Sequence, residues 1–286
     1  MPTMGDIDEV YSSIKADKVP MKRLLRSLYG WMALFGFDPR KALGSLRGLL
    51  PYLRDLHALK KQHESAVEDF PLGNLYPCLE DRFSESGSAR GHYFYQDLWV
   101  AQRIYLNNPN THVDVGSRVD GFVAHVAAFR PIKVIDIRPL SSRIPNVEFI
   151  QADLMADVRD DLVGCCDSLS CLHALEHFGL GRYGDPVRYD GYRVGLKNLY
   201  RMLKDGGKFY LSVPIGPQRI EFNAHRVFSM RYLVECFAGS YRIDQFSFVD
   251  DQGDFHGAVP LSDADVANNF GCTYGCGIFE MTKSAA

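Results

Sequence analysis

The clearest indication of the fold is the stretch His112-Val113-Asp114-Val115-Gly116-Ser117-Arg118, followed by Asp120-Gly121-Phe122. The first four residues are typical of a short strand, and the pattern from residue 120 onward is typical of a helix. Gly116 allows a tight turn between them and lets a ligand approach the backbone closely. A strand, a glycine turn and a helix in this order form the first unit of an α/β sheet, although the turn is not the G-x-G-x-x-G of a dinucleotide site.

Short apolar strands alternate with helices along the rest of the chain. Strands are predicted at 112–115, 133–137, 147–150, 168–172, 208–213, 241–249 and 276–281, and helices at 120–129, 191–203 and 229–238. This alternation predicts a doubly wound α/β fold, in which helices cover both faces of a mostly parallel, seven-stranded sheet. The last two strands have no clear helix between them, so we expect an antiparallel pair at the edge of the sheet.

A helical extension precedes the sheet. Residues 1–72 have helical periodicity, residues 71–91 are rich in proline and glycine, and an aromatic helix is predicted at 93–106. We therefore expect a helical N-terminal extension with a connector at 1–91 and an α/β domain at 92–286.

The extension is strongly basic. Residues 15–61 carry a net charge of +8, whereas the whole chain carries −3. Basic amphipathic helices either pack on the main domain with their lysines in water or contact an anionic membrane surface or an acidic partner, and the sequence leaves these alternatives open. Nucleic acid is not an expected partner, because the remaining chain is acidic and has no recognisable binding motif.

The composition is that of a globular protein. Hydrophobic residues make up 46% and charged residues 23%, which excludes a disordered or fibrous chain. Seven scattered cysteines without a C-x-x-C pair suit reduced thiols better than a disulfide framework. No apolar run is long enough to span a bilayer, and the first 15 residues do not resemble a secretory signal. We expect a cytoplasmic protein, with peripheral membrane contact as an alternative for the basic extension.

An acid follows or ends each of the first three predicted strands. Asp114 precedes the glycine turn, Asp136 lies 22 residues later, and Asp153 follows the third strand. Carboxylates at such positions can accept hydrogen bonds from ribose hydroxyls and from an adenine amino group. Each acid alone is typical of a helix cap or a solvated turn. Three such acids, one at each of three consecutive strands, predict a nucleoside-binding site.

These segments resemble class I S-adenosylmethionine-dependent methyltransferases. The resemblance covers about residues 110–283 and rests on Asp114-Val-Gly-Ser, Val134-Ile-Asp136, Gln151-Ala-Asp153, Leu172-His-Ala-Leu-Glu-His177 and Leu203-Lys-Asp-Gly-Gly-Lys-Phe-Tyr-Leu-Ser-Val-Pro214. Longer strings at 96–98, 114–122 and 178–185 resemble a little-characterised branch, a domain of unknown function whose members accompany polysaccharide-building genes. The resemblance implies a Rossmann-like methyltransferase fold, S-adenosylmethionine as cofactor, and O-methylation of a sugar, sugar nucleotide or lipid-linked glycan.

The resemblance also implies a set of cofactor-binding residues. They are Asp114, Gly116, Ser117 and Arg118 around the methionine moiety, Asp136 and Ile137 at the ribose, Asp153 and Leu154 at the adenine, Ser170 and Leu172 beneath the sulfonium, and Tyr95 and Gln96 above the pocket. One departure from the superfamily pattern is Ser117-Arg118-Val119, which stands where further glycines are usual. Arg118 either clashes with the methionine half of the cofactor or reaches its carboxylate, so a catalytically silent binding protein of the same shape is the alternative.

His173-Ala-Leu-Glu176-His177 also spells H-x-x-E-H, a motif of zinc hydrolases. A zinc site of that kind needs both histidines on one helix face and a third ligand. Glycines 179 and 181 limit any helix here to little more than one turn, and the methyltransferase resemblance accounts for the same residues as a loop after a strand. We therefore expect no metal, and a zinc hydrolase is the less favoured alternative.

Methyl transfer to a hydroxyl needs an acceptor oxygen held ~3 to 3.5 Å from the methyl carbon and a base that takes its proton. The predicted substrate-binding residues are Arg182, Tyr183, Arg219, Glu221 and Asn223, and the predicted catalytic residues are His225, His177 and Asp185. His225 is favoured as the base because it lies beyond the fifth strand among polar residues. A structural role for His177 and a helix-capping role for His225 are the alternatives.

Overall fold

The computed structural model describes residues 21–65 and 70–285, and of residues 21–27 it describes the backbone alone. Residues 1–20, for which the sequence predicts helical structure, lie outside the described residues. The chain divides into two units, Met1–Ser88 and Ala89–Ala286. The boundary predicted from the sequence lies between residues 91 and 92.

Two helices form the described part of the first unit. Helix α1 spans Met21–Leu34 and α2 spans Pro39–His63, and an irregular segment with one 3₁₀ turn at Asp81–Phe83 follows. The side chain of Asp38 caps α2 by accepting hydrogen bonds from the backbone N–H groups of Arg40 and Lys41. Proline at the first helical position and an acid at the cap are a strong start signal, which accounts for the beginning of a second helix at Pro39.

The second unit contains the sheet. Its helices are α3 His92–Asn107, α4 Ala124–Ala127, α5 Gly191–Met202, α6 Met230–Phe237 and α7 Asp263–Ala267, and its strands are β1 His112–Val115, β2 Ile132–Asp136, β3 Val147–Gln151, β4 Cys166–Leu172, β5 Leu203–Ile215, β6 Arg219–Glu221, β7 His225–Val227, β8 Tyr241–Val249, β9 Phe255–His256 and β10 Gly275–Lys283. A π-helical turn at Val119–Val123 precedes α4.

The main sheet has the strand order β3-β2-β1-β4-β5-β10-β8-β9. Strands β1 to β5 pair in parallel, whereas β10 is antiparallel to both β5 and β8. This mostly parallel, doubly wound sheet confirms the predicted Rossmann-like fold class. Strand order reverses between β1 and β4, which is where open α/β sheets bind ligands.

Three details differ from the sequence prediction. Strands β8 and β10 pair as predicted, but β10 is internal and the two-residue β9 forms the edge. The short helix α7 lies between β8 and β10, where no helix is expected. Strands β6 and β7 form a separate two-stranded hairpin. These elements are two to five residues long, too short to give a periodic pattern.

Two apolar cores lie on opposite faces of the sheet. Along β5, Phe209 and Leu211 belong to one buried cluster and Tyr210 to the other. Because successive side chains of a strand point to opposite faces, these clusters are the two faces of one sheet. The first cluster includes residues of α5 and α6, and the second includes residues of α3 and α4.

None of the helices among the described residues is long and apolar enough to cross a membrane.

Candidate functional site

A pocket lies at the carboxyl ends of the first four strands of the sheet. Its lining residues are Val115, Gly116, Ile135, Asp136, Ile137, Arg138, Ala152, Asp153, Leu154, Met155, His173, Ala174, His177, Phe178, Tyr183 and Asp185. Two sets of segments contribute to it. Residues 114–155, at the ends of β1 to β3, form what we call the strand side. Residues 173–190, together with the β6–β7 hairpin that contacts them, form what we call the loop side. The hairpin itself, including His225, supplies none of the residues that line the pocket.

Gly116 forms the turn after β1 in a conformation that requires glycine. Its φ is +72°, and its backbone N–H donates to the carbonyl of Ile135 at 2.9 Å. A Cβ at this position would lie 2.8 Å from the Cβ of Ala174. Both the positive φ and the contact with Ala174 therefore require glycine at this position, which lines the pocket.

Asp136 ends β2 and is held by an arginine two residues later. The Nε and Nη2 atoms of Arg138 donate to its two carboxylate oxygens at 3.0 and 2.6 Å, and the Arg138 backbone N–H donates to Oδ1 at 2.8 Å. The Arg138 guanidinium also lies 4.4 Å from the centre of the Tyr183 ring, on the loop side. The predicted ribose acceptor thus lies in the pocket, with an arginine already bound to it.

Asp153 follows β3 at the same edge of the sheet. Its Oδ1 accepts a hydrogen bond from the backbone N–H of Met155 at 2.8 Å, which fixes the carboxylate at the pocket wall. The neighbouring Leu154 is only 5% exposed. A polar acceptor beside apolar side chains is an arrangement that suits a purine base.

Asp114 lies beneath the pocket rather than in its wall. It is fully buried, and it accepts hydrogen bonds from the hydroxyls of Ser117 at 2.6 Å and Ser170 at 2.5 Å. Burial raises the pKa of Asp114 to about 6, against the opposing effect of these hydrogen bonds. The Ser170 hydroxyl is also 3.1 Å from Nε2 of the buried His112. This network links β1 to β4 below Gly116.

Other predicted cofactor residues do not line the pocket. The Ser117 hydroxyl is committed to Asp114, and Leu172 belongs to the core on the opposite face. Arg118 forms a bidentate pair with the exposed Asp120, so it neither obstructs nor reaches into the pocket. Tyr95 stacks on Phe255, with 5.3 Å between ring centres.

Gln96 is buried near Cys276 on β10 and is also outside the pocket lining. Its Oε1 accepts from the Ser212 hydroxyl at 2.6 Å, and its Nε2 donates to Asp97 at 3.1 Å.

Asp185 organises the backbone of the loop side. Its carboxylate accepts hydrogen bonds from the backbone N–H groups of Gly179, Gly181 and Tyr183 at 2.8, 3.2 and 3.1 Å. Asp185 is 9% exposed, so most of its hydrogen-bonding capacity is used within the loop. This arrangement holds the Tyr183 ring at the pocket.

His177 and Arg182 connect this loop to the hairpin. His177 Nδ1 lies 2.6 Å from the carbonyl oxygen of Ala224, and Arg182 Nη1 donates to the same oxygen at 3.0 Å. Burial lowers the pKa of His177, although the Glu176 charge acts in the opposite direction. His177 lines the pocket, and its Nδ1 is already engaged by the hairpin.

His225 begins β7 and is paired with an acid across the hairpin. Its Nε2 lies 3.5 Å from an oxygen of Glu221, and its ring centre lies 5.0 Å from that of Tyr274. Burial lowers the pKa of His225, while Glu221 and Glu176 oppose the shift. Among the described residues, His225 Nε2 is buried without a hydrogen-bond partner.

The remaining predicted substrate residues lie in or beside the hairpin turn. Arg219 pairs with Glu221 at 2.9 Å and donates to the carbonyl of Thr273 at 2.9 Å. Asn223 is exposed in the turn and has a φ of +60°, a conformation that asparagine adopts more readily than most residues. The conformation of the turn therefore explains why an asparagine stands at this position.

Arg226 is the polar residue of this region whose role the sequence analysis missed. It is 4% exposed, and its guanidinium donates to the carbonyls of Glu176, Phe178, Arg188 and Tyr189. It therefore holds both ends of the segment between β4 and α5.

The pocket residues missed by sequence analysis include Arg138, Met155, His173 and Phe178. An arginine two residues after a strand-end acid was the available signal for Arg138.

His173 follows β4 and has a strained backbone. Its φ is +49°, and its Nδ1 lies 2.6 Å from Oε1 of the fully buried Glu176. Although burial opposes the charged form, the neighbouring Cys276 and Glu176 raise the pKa of His173 above its ordinary value. The H-x-x-E-H residues are therefore joined by a histidine–carboxylate pair, while His177 is turned toward Ala224.

Comparison with known proteins gives one family match. Residues 141–259 match a family described as Caenorhabditis protein of unknown function, DUF268. The matched segment includes Asp153 and the loop side, but it does not include Gly116 or Asp136. No curated protein matches the sequence.

Several solved structures are similar to this chain at low identity. The N-methyltransferase NodS from Bradyrhizobium japonicum WM9, in complex with S-adenosyl-L-homocysteine, is 12% identical over 68% of this chain and 89% of that chain, with a TM-score of 0.46. A 1,6-didemethyltoxoflavin-N1-methyltransferase from Burkholderia thailandensis is 16% identical over 68% and 84%, with a TM-score of 0.45. The [4+2]-cyclase SpnF is 15% identical over 66% and 81%, with a TM-score of 0.47.

Proposed function

We propose that this chain is an S-adenosylmethionine-dependent methyltransferase. The observation that carries the proposal is the convergence of Gly116, Asp136 and Asp153 on one pocket at the point where strand order reverses. A nucleoside needs acceptors for its ribose hydroxyls and its base amino group, and the two carboxylates supply them. The pattern of the motifs, rather than the pocket alone, distinguishes S-adenosylmethionine from other nucleosides.

The residues of the pocket suit this cofactor. Gly116 would lie against the methionine moiety, the Asp136 carboxylate would accept hydrogen bonds from the ribose, and Asp153 with Leu154 would contact the adenine. When bound, S-adenosylmethionine supplies an electrophilic methyl group. Arg118 points away from the pocket toward Asp120, so the altered glycine loop gives no specific support to a catalytically silent protein.

The acceptor that we propose is a hydroxyl of a sugar, sugar nucleotide or lipid-linked glycan. Tyr183 offers a half-buried aromatic face at the pocket, and the Arg138 and Arg182 guanidiniums lie 4.4 and 5.3 Å from its ring centre. Aromatic faces flanked by hydrogen-bond donors suit a ring that carries hydroxyls.

Native mass spectrometry with S-adenosylmethionine tests the cofactor assignment. A mass increase of one cofactor is expected, and absence of binding at millimolar cofactor would refute it.

We further propose that His225 accepts the proton of the acceptor hydroxyl. Burial lowers the pKa of His225, which favours the neutral imidazole that can accept a proton, and Nε2 lies 3.5 Å from a carboxylate oxygen of Glu221. Replacement of His225 by alanine is expected to reduce methyl transfer by about 10² to 10⁴ while cofactor affinity changes only a few-fold. His256→Ala, at the far edge of the sheet, is the control. Normal turnover by His225→Ala would assign the base elsewhere, with His177 next to test.

For the first unit we propose peripheral contact with an anionic membrane. Helix α2 carries Leu43, Leu46 and Leu50, each at least 69% exposed, together with basic side chains. Apolar and basic residues on one surface helix suit an anionic lipid headgroup region. Vesicles containing phosphatidylserine are expected to sediment the wild type, and the double variant Leu46→Ser, Leu50→Ser is expected to stay in solution. Equal sedimentation of that variant and of the control Val187→Ser would contradict the proposal.

A further inference from the structure

Three side chains with metal-binding atoms meet beside the pocket. A ring nitrogen of His92, a ring nitrogen of His173 and the sulfur of Cys276 all lie within 4.8 Å of one another. His92 begins α3, His173 follows β4, and Cys276 lies on β10. Three different elements of the second unit therefore bring these groups together, which no spacing in the sequence indicates.

The orientation of His173 is that of a metal ligand. Its Nδ1 is engaged by Glu176 at 2.6 Å, so Nδ1 carries the proton in the neutral ring and Nε2 has a free lone pair. Among the described residues, Nε2 of this 8%-exposed side chain has no hydrogen-bond partner. Histidines that bind metals commonly donate their other nitrogen to a carboxylate, which fixes the ring and its tautomer.

Cys276 and His92 offer the other two ligand atoms. The Cys276 side chain is fully buried, and its sulfur lies 3.9 Å from the oxygens of Gln96 and Gly277, too far for strong hydrogen bonds to them. The His92 ring is stacked on the His173 ring, with 5.1 Å between their centres and 8° between their planes, so the His92 ring must turn before both rings can point a nitrogen at one ion.

Charge also favours a cation here. Glu176 is fully buried and has a second oxygen, Oε2, with no partner among the described residues. A divalent cation beside one carboxylate and one thiolate gives a neutral buried cluster, which avoids the cost of an uncompensated buried charge.

We propose that His92, His173 and Cys276 bind a zinc ion. Imidazole and thiolate ligands together suit zinc, and three protein ligands leave a fourth position for water or a substrate atom. Tetrahedral zinc places its ligand atoms about 3.3 to 3.7 Å apart, so the three side chains must move closer by roughly 1 Å. This site goes beyond the proposed function. It also differs from the sequence expectation of no metal, which considered only the His173–His177 pair.

Metal uptake by the purified full-length protein tests this site. After treatment with a chelator, the wild type is expected to take up about one zinc ion per chain. With cobalt in place of zinc, it is expected to show a thiolate-to-cobalt charge-transfer band. Cys276→Ser is expected to lose that band, whereas Cys272→Ser, a control at another buried cysteine, is expected to keep it.

The variant Glu176→Gln keeps all three ligands and is expected to weaken zinc binding by about 10- to 100-fold. Absence of zinc uptake by the wild type, or a cobalt spectrum that Cys276→Ser leaves unchanged, would overturn the proposal and leave a His173–Cys276 pair that shares a proton. Binding of S-adenosylmethionine is measured separately, so failure of the zinc site and failure of the proposed function are distinguishable.

Discussion

The strand side and the loop side of the pocket use their polar residues in different ways. On the strand side, Asp136 and Asp153 lie at strand ends, and their carboxylates line the pocket. On the loop side, Asp185 accepts three backbone N–H groups and Arg226 donates to four carbonyls. The strand side thus has its carboxylates in the pocket wall, with Asp136 paired to Arg138, whereas the loop side uses most of its charged groups to hold its own backbone.

The difference has a physical origin. A parallel sheet satisfies its own backbone hydrogen bonds, so an acid at a strand end keeps capacity for a ligand. A buried irregular loop has no ladder, and its backbone groups need side-chain partners. Polar residues of such a loop are therefore more often structural than those at strand ends.

Among the substitutions on the two sides of the pocket, Arg226→Ala is expected to lower the free energy of unfolding most. This change leaves four carbonyls without their donor, and hydrogen bonds to a charged group contribute about 1.5 to 3 kcal/mol each. We expect the free energy of unfolding to fall by about 3 kcal/mol or more, as measured by urea denaturation. Arg188→Ala, which removes a solvent-exposed pair with Asp190, is expected to leave the free energy of unfolding nearly unchanged. Equal losses in the two variants would show that Arg226 does not hold the loop side together.

Asp185→Asn is expected to lower the free energy of unfolding by a smaller amount. Asparagine keeps the shape but has one acceptor oxygen instead of two, so at least one of the three backbone hydrogen bonds is lost. We expect a loss of about 1 to 2 kcal/mol. Amide hydrogen exchange at Gly179, Gly181 and Tyr183 should become faster. Unchanged exchange at these amides, relative to the control Asp190→Asn, would indicate that Asp185 is available to a substrate instead.

The smallest change in free energy is expected from Arg138→Ala, and it is a change in ligand affinity. Arg138 occupies the carboxylate that we assign to the ribose, and this half-exposed ion pair contributes about 0 to 1 kcal/mol. Its removal is expected to strengthen binding of S-adenosylhomocysteine by up to about fivefold in calorimetry. Arg118→Ala, which removes a similar pair outside the pocket, should leave affinity unchanged. Tenfold weaker binding by Arg138→Ala would mean that the arginine itself contacts the ligand.

The sequence predicts the sheet well because burial imposes a pattern on each strand. The predicted strand at 241–249 coincides with β8, and the predicted strand at 133–137 differs from β2 by one residue at each end. The positions of Gly116, Asp136 and Asp153 in one pocket follow from the same pattern, since consecutive parallel strands end at one edge.

The loop side is not predictable in this way. The four carbonyls that Arg226 binds lie 37 to 50 residues away in the chain, and the cluster of His92, His173 and Cys276 spans three elements. No periodicity connects such residues. The sequence shows a group of polar residues around the hairpin, but it does not distinguish residues that would face a ligand from residues that bind backbone.

The central claim is that Asp136 binds the ribose of an adenosyl cofactor, and calorimetry with S-adenosylhomocysteine tests it most directly. Asp136→Ala removes hydrogen bonds to a charged acceptor, worth about 1.5 to 3 kcal/mol, so binding is expected to weaken roughly ten- to hundredfold. Asp120→Ala is a matched control, because Asp120 also pairs with an arginine two residues away but is exposed outside the pocket. A large loss of affinity is expected for Asp136→Ala and none for Asp120→Ala. Wild-type affinity in Asp136→Ala would contradict it.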